Sequence, residues 1–247
     1  MIEEGIKGYF MGRTLVQQRG EIGGARDVFV KLGGLKNDLI FPTFGGRVMN
    51  PFKGAAKIYA GDLIEYRTNE KGVKPEIYLL KTYKVKTGSG KTVKIYRDGY
   101  SHIPFVGDVL MVAPDDITAT NGTSGTVTAV KKTQDGGKDV WELTLDTDIT
   151  ATADGTILVE AKAKASGTAE MLVKNINAVA PCDYDFLHSD PSDPSDEENE
   201  FDKARYYMTP ALGGLMYKHK MSPIPACVEK ACNEVKVNGW FGFGLKR

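Results

Sequence analysis

Apolar and polar residues alternate along several short runs in the middle of the chain. Val93 and Ile95 alternate with Thr92, Lys94 and Tyr96, and Trp141, Leu143 and Leu145 alternate with Glu142 and Thr144. Ile157, Val159, Ala161 and Ala163 alternate with Leu158, Glu160, Lys162 and Lys164, and Ile77, Leu79, Tyr83 and Val85 share one parity. Period two sends successive side chains to opposite faces, so these runs predict half-buried strands from Ile58 to about Asn177. Gly88-Ser89-Gly90, Asn121-Gly122, Asp135-Gly136-Gly137 and Asp154-Gly155 lie between the runs and supply turn chemistry. Closely spaced strands without helical periods between them predict a mainly β chain with a small antiparallel barrel or sandwich core.

The two ends read differently. The first fifty residues hold ten glycines, paired at Gly23-Gly24, Gly33-Gly34 and Gly45-Gly46, around the short β-like runs Asp27–Leu32 and Leu39–Phe44. Glycine pairs weaken helices, so this part predicts an extended arm or a set of short strands, seated on a partner or on its own domain. Near the other end, Pro225–Lys236 predicts a short helix with Val228, Ala231, Cys232 and Val235 on one stripe. Ser222-Pro223 marks its start and Asn238-Gly239 its stop. The following Trp240-Phe241-Gly242-Phe243-Gly244 is aromatic and glycine-rich, a tail that calls for burial against its own domain or a partner. The organisation expected is an arm at 1–50, a β-rich core at 51–178, an acidic loop at 179–205 and a C-terminal segment at 206–247 that docks on the core or on a partner. Phe29, Phe41, Phe44, Trp240, Phe241 and Phe243 are the candidate partner contacts.

One short pattern recurs. Ala60-Gly61-Asp62-Leu63-Ile64 resembles Val106-Gly107-Asp108-Val109-Leu110, with a looser cousin in Asp154-Gly155-Thr156-Ile157-Leu158. Glycine admits a positive φ, the aspartate closes a turn and the apolar pair enters the core. Asp62 and Asp108 are therefore read as turn formers, not as a catalytic carboxylate pair.

Charge adds a gradient. Of 247 residues, 41% are hydrophobic and 26% charged, a globular and not a disordered balance. Lys+Arg and Asp+Glu are 32 each, so the total favours neither nucleic acid nor an anionic membrane. Residues 51–100 nevertheless carry +6 and residues 151–200 carry −8. Asp183 to Asp202 holds nine acidic residues and no Lys or Arg, among them Asp190, Asp193, Asp196, Glu197 and Glu198. This is expected to be a solvated loop or a contact for basic residues of a neighbour. Its spacing does not fit a calcium loop.

Chemistry is sparse. Cys182, Cys227 and Cys232 are odd in number and lack CxxC spacing, which argues against a disulfide scaffold or zinc site and for a reducing compartment. The start has no basic stretch followed by an apolar run, and no run approaches the ~20 apolar residues of a membrane span, so a soluble protein made in a cytoplasm is expected. Gly88-Ser89-Gly90-Lys91-Thr92 resembles the end of a phosphate-binding loop, but Val85 stands where that loop needs its first glycine and strands flank it, so a hairpin turn is expected. His102, His188 and His219 have no metal-ligand spacing, and there is no GxSxG elbow. No catalytic, cofactor-binding or metal residue is assigned, and no cofactor is expected; His102, before Ile103-Pro104, reads as a packed turn residue.

Taken together, the text from Pro51 to Ala163 resembles capsid-associated structural proteins, of auxiliary, decoration or head-fibre type, from crAss-like and other tailed bacteriophages. The resemblance is carried by Pro51-Phe-Lys-Gly-Ala-Ala-Lys-Ile-Tyr-Ala-Gly-Asp-Leu-Ile-Glu-Tyr66, by Leu79-Leu-Lys-Thr-Tyr-Lys-Val85, by Tyr100-Ser-His-Ile-Pro-Phe-Val-Gly-Asp-Val-Leu-Met-Val-Ala-Pro114 and by Trp141-Glu-Leu-Thr-Leu145. It covers a little under half the chain and is a style of sequence more than a strict motif. It implies a non-enzymatic virion component on the capsid surface, made in a host bacterial cytoplasm. The partners it implies are further copies of itself, commonly as a trimer, the major capsid protein and other virion proteins, with no nucleic acid and no membrane. Two other readings stand beside it. A tail or surface adhesin for carbohydrate or a host receptor would use exposed aromatics such as Tyr78, Tyr96 and Tyr100. A phage hydrolase would need a polar pocket joining His102 or His188 to a nucleophile.

Overall fold

A computed structural model describes residues 42, 45–50, 58–68, 75–98, 101–151, 153–184, 207–212, 214–232 and 240–243. The described residues are mainly β and fall into two compact units. One contains the described residues up to Leu79, those from Asn177 to Met221 and the strand Trp240–Phe243. The other contains Leu80–Ile176 and the segment from Ser222.

The first unit holds strands β1 (Gly46–Val48), β2 (Leu63–Arg67) and β3 (Glu76–Leu79), and the second holds β4 (Thr82–Ser89), β5 (Thr92–Tyr96), β6 (Val109–Val112), β7 (Ser124–Asp135), β8 (Lys138–Leu145) and β9 (Ile157–Glu160). The chain then returns to the first unit as β10 (Ala178–Val179), β11 (Tyr207–Met208), β12 (Gly214–Tyr217) and, last, β13 (Trp240–Phe243).

In the first unit a mixed sheet runs in the order β10-β2-β3-β1-β11. The β1–β3 pair is parallel and the others are antiparallel. Alternation buries Ile64, Tyr66, Ile77 and Leu79, the face opposite Glu65, Arg67, Glu76 and Tyr78. Two asparagine side chains extend the ladder where a strand does not. Asn50 accepts the Leu79 N–H at 2.7 Å and donates to the Leu79 carbonyl at 2.9 Å. Asn177 does the same for Tyr66, at 2.7 and 2.8 Å. β12 and β13 pair as a separate antiparallel ribbon.

The second unit is a closed six-stranded barrel, β4-β5-β8-β7-β6-β9, antiparallel at every step. Of the barrel and the sandwich expected from the alternation, the barrel is the one formed. Tyr83, Val85, Val93, Ile95, Leu110, Val127, Leu143, Leu145 and Leu158 fill its core. The ladder shifts by one residue between Val85 and Thr87 on β4 and between Val127 and Ala129 on β7. Such bulges sharpen the local twist that closure needs. The Gly88–Gly90 segment is the hairpin turn expected: Ser89 pairs with Thr92, and Gly90 has φ +56°. Gly136 and Gly137, with φ +57° and +75°, make the two-residue turn between β7 and β8.

Three local expectations are corrected. β9 ends at Glu160, and Leu158 and Val159 are both fully buried, because both faces of this strand are covered; Ala163 is an exposed residue beyond it. Asn121-Gly122 does not turn a hairpin, since Gly122 instead bridges Ala169, with N–H···O distances of 3.0 and 2.8 Å. The helix, α1, spans Ala226–Cys232 and buries Cys227, Val228 and Cys232, while Ala231 faces solvent. Seven residues make barely two turns, too few for a full stripe. Val235, Asn238 and Gly239 lie outside the described residues.

Candidate binding cleft on the barrel wall

The recurrent Gly-Asp pattern builds the same turn twice. In the first unit the Asp62 N–H reaches the Tyr59 carbonyl at 3.0 Å, and the Asp62 carboxylate accepts the Tyr59 N–H at 2.8 Å. In the barrel, Asp108 makes the same pair of bonds to Phe105, at 3.2 and 2.9 Å. Gly61 and Gly107 hold φ of +88° and +89°, a backbone that glycine adopts without strain. Each turn then pairs alike with a neighbouring strand. Gly61 N–H meets Ala180 O and Ala180 N–H meets Asp62 O, both at 2.9 Å; Val127 takes the place of Ala180 opposite Gly107 and Asp108, both at 2.8 Å. The third copy keeps the glycine, Gly155 at φ +86°, and the Thr156 N–H to Ala153 carbonyl bond at 3.2 Å, but has no aspartate to complete it. Asp62 and Asp108 are turn formers, as their sequence context predicts.

The buried polar groups of the barrel unit tie strands together. His102 is 3% exposed; its Nδ1 accepts the Thr82 N–H at 2.8 Å, and its Nε2 lies 3.4 Å from Ser222 Oγ. The Thr82 N–H bond fits the tautomer with its proton on Nε2, the nitrogen that faces Ser222. A general base for a serine needs a bare nitrogen there, so this pair is arranged as donor and acceptor and not as base and nucleophile. The 3.3 Å ion pair of Lys81 and Glu160 is likewise sheltered, with the Lys81 side chain 4% exposed. Burial, with the charges of Asp108 and Glu160, pushes the Tyr83 phenol well above its ordinary value. All three cysteines are buried thiols outside any disulfide, and no group of three or more His, Cys, Asp or Glu among the described residues could hold a metal.

The exposed chemistry gathers instead on the outer wall, at Tyr96 on β5. Three ammonium groups approach its ring, Lys84 at 5.4 Å, Lys86 at 5.7 Å and Lys138 at 5.8 Å from the centroid. The ladder explains why. Lys84 and Lys86 flank Val85, which pairs with Ile95, and Lys138 comes from β8 on the other side of β5. The Tyr96 hydroxyl donates to Asp154 at 3.0 Å, and Lys86 pairs with the same carboxylate at 3.5 Å. The phenol bond first, then Lys86, holds Asp154 below its usual range. Lys84 and Lys138 have no carboxylate within 4 Å among the described residues. Together with Arg97, Asp98 and Asp139 these groups line an open cleft of about 470 Å³. Arg97 reaches Asp139 only at 3.9 Å and lies 5.4 Å above the Trp141 ring, which Lys132 approaches at 5.3 Å. The result is a mixed cation–aromatic patch, in which Lys84 and Lys138 make no ion pair within 4 Å among the described residues while Asp98, Asp139 and Asp154 lie in or beside the cleft.

The candidate contacts fall elsewhere. Phe29, Phe41, Phe44, Asp190, Asp193, Asp196, Glu197 and Glu198 lie outside the described residues. Trp240, Phe241 and Phe243 lie on β13 opposite Tyr217, Met216 and Gly214, and their side chains are outside the description. Of the aromatics weighed for an adhesin, Tyr100 is not described. Tyr78 is already occupied: Arg67 covers its ring at 3.9 Å and its hydroxyl donates to Glu76 at 3.1 Å. Tyr96 remains. Its partners Lys84, Lys86 and Lys138 are not singled out by the sequence, although the alternation of Lys84 with Val85 and of Tyr96 with Ile95 already puts both on a wet face. No family model matches the chain, and no curated protein and no solved structure matches it.

Proposed function

We propose that this protein is a non-enzymatic structural component of a tailed-phage virion that binds the major capsid lattice as an oligomer and decorates or stabilises the head. The observation that carries the reading is the use made of buried polar side chains. Asp62, Asp108, Asn50 and His102, with the half-buried Asn177, each make hydrogen bonds to backbone groups of turns and strands. Polar groups committed in this way serve a rigid scaffold. The resemblance of residues 51–163 to auxiliary head proteins supports the virion assignment, and the closed barrel suits a part that must persist on a particle surface. The test is immunogold electron microscopy of particles of the phage that encodes the chain, with light scattering of the purified protein at low and high salt. Gold on the heads and a stable trimer or larger ring are expected. Particles without label, with the protein found only in the lysate, would overturn the reading.

A further inference from the structure

We infer that Lys81 and Glu160 form a self-modification site, at which the two side chains condense to an amide that cross-links β4 and β9 inside the barrel. This goes beyond a scaffold role and does not rest on it. The backbone places the pair. β4 and β9 are antiparallel with Thr82 opposite Val159, so the next step of the ladder sets Lys81 opposite Glu160. The alternation that sends Tyr83 and Leu158 into the barrel core sends Lys81 and Glu160 to the same face, at the end where β4 begins and β9 stops. There the Lys81 amine lies 3.3 Å from a Glu160 carboxylate oxygen, and the lysine is buried.

Three features favour condensation over a lasting ion pair. Two charges held out of water are costly, and an amide removes both. Groups fixed in contact react intramolecularly, and well-oriented pairs reach effective concentrations of roughly 10⁵–10⁸ M. Groups that handle protons stand at the same end. Leu110 on β6 pairs with Glu160, and buried Asp108 lies two residues before Leu110 on its face. Burial first, then the charges of Asp108 and Glu160, holds the Tyr83 phenol well above its ordinary value, so its hydroxyl keeps its proton beside both carboxylates.

The step balances without a co-reactant. A proton passes from the Lys81 ammonium to the Glu160 carboxylate, and the Nζ lone pair then attacks Cδ to form the C–N bond. The Tyr83 hydroxyl donates a hydrogen bond to the oxygen that gains charge. Asp108 carries a proton from the nitrogen to the departing hydroxyl, the C–O bond breaks and one water leaves.

The test is intact mass spectrometry of the purified full chain after denaturation, with tryptic mapping. The chain is expected to be lighter than its sequence by one water, with a linked pair of peptides that contain Lys81 and Glu160 and no cleavage after Lys81. Lys81→Arg keeps a positive charge opposite Glu160 but has no amine to condense, and should return the full sequence mass. The readout needs no folded variant, since the parent chain alone decides. A parent of full sequence mass, cleavage after Lys81 in the denatured parent, a water deficit that maps to other residues, or a deficit that persists in Lys81→Arg each overturns the inference. Head labelling by the Lys81→Arg chain reports on the capsid reading separately.

Discussion

The Asp108 carboxylate accepts the Phe105 N–H at 2.9 Å while the Asp108 N–H returns to the Phe105 carbonyl at 3.2 Å, so one four-residue turn is closed from both sides. Asp108 is 6% exposed, and its removal leaves a half-buried N–H without its acceptor. Asp108→Ala should cost about 1–2 kcal/mol, and Asp62→Ala at the matching turn a similar amount, with Asn retaining most of the stability at either place. Urea denaturation of the variants measures this; unchanged midpoints would deny the turns their role.

Two glycines of one hairpin should respond differently to a methyl group. A Cβ on Gly88 would lie 2.1 Å from the Ala151 carbonyl oxygen, whereas a Cβ on Gly90, at φ +56°, meets nothing within 4 Å. Gly90→Ala carries only the backbone term, about 1–2 kcal/mol. Gly88→Ala must move backbone and should cost more, about 2–4 kcal/mol. Thermal melting that ranks Gly90→Ala as the worse of the two would contradict this packing.

His102 acts through hydrogen bonds to Thr82 and Ser222. His102→Leu should remove about 2–3 kcal/mol by leaving the buried Thr82 N–H unpaired, and Ser222→Ala about 1 kcal/mol, since only one neutral bond is lost. A hydroxyl-directed acylating probe should not label Ser222 in the folded chain; stoichiometric labelling there would show a reactive serine.

Glu170 sits between two lysines, Lys174 first and Lys162 second, which lower its carboxyl from the ordinary 4.5 to about 2. A carboxylate with a depressed folded value stabilises the native state above its ordinary value. That contribution is lost as the pH falls from about 4.5 through about 2. Carboxyl NMR should place the Glu170 midpoint near 2 in the folded chain, and Glu170→Gln should flatten the acid limb of the stability profile in that window.

Tyr96 and Asp154 are coupled by the phenol–carboxylate bond of 3.0 Å. Tyr96→Phe deletes the principal cause of the low Asp154 carboxyl value and should raise its titration midpoint toward 3.8, with Lys86 holding part of the depression. An unmoved midpoint would mean that the hydroxyl points elsewhere.

Much of the fold is legible in residue order, and particular residues show where that legibility ends. Val93, Ile95, Leu143 and Leu145 alternate because one face of each strand meets the barrel core. Asp62 and Asp108 betray their turns through the neighbouring glycine, because the φ value and the carboxylate geometry are local properties. Leu158 beside Val159 defeats the period-two reading, because a strand covered on both faces carries no polar side to mark it. The contact of His102 with Ser222 spans 120 positions, and no local pattern announces it. The cleft is half legible: Tyr96 stands out as an aromatic on a wet face, but Lys138 joins Lys84 there only through strand pairing of β5 with both β4 and β8.

The long ribbon of β7 and β8 has one further consequence. Beyond Val127, from Ala129 to Asp135, β7 is hydrogen-bonded to β8 on one side and to no other strand among the described residues, so its outer rim offers unpaired amides and carbonyls. A rim of that kind invites the backbone of another molecule to add as a further strand, the first step of fibre growth. Here the rim carries exposed Lys131 and Lys132 and begins at a bulge, so an incoming strand would have to bury two charges against a twisted edge. Those two lysines stand against such strand addition, as gatekeeping charges on a twisted edge.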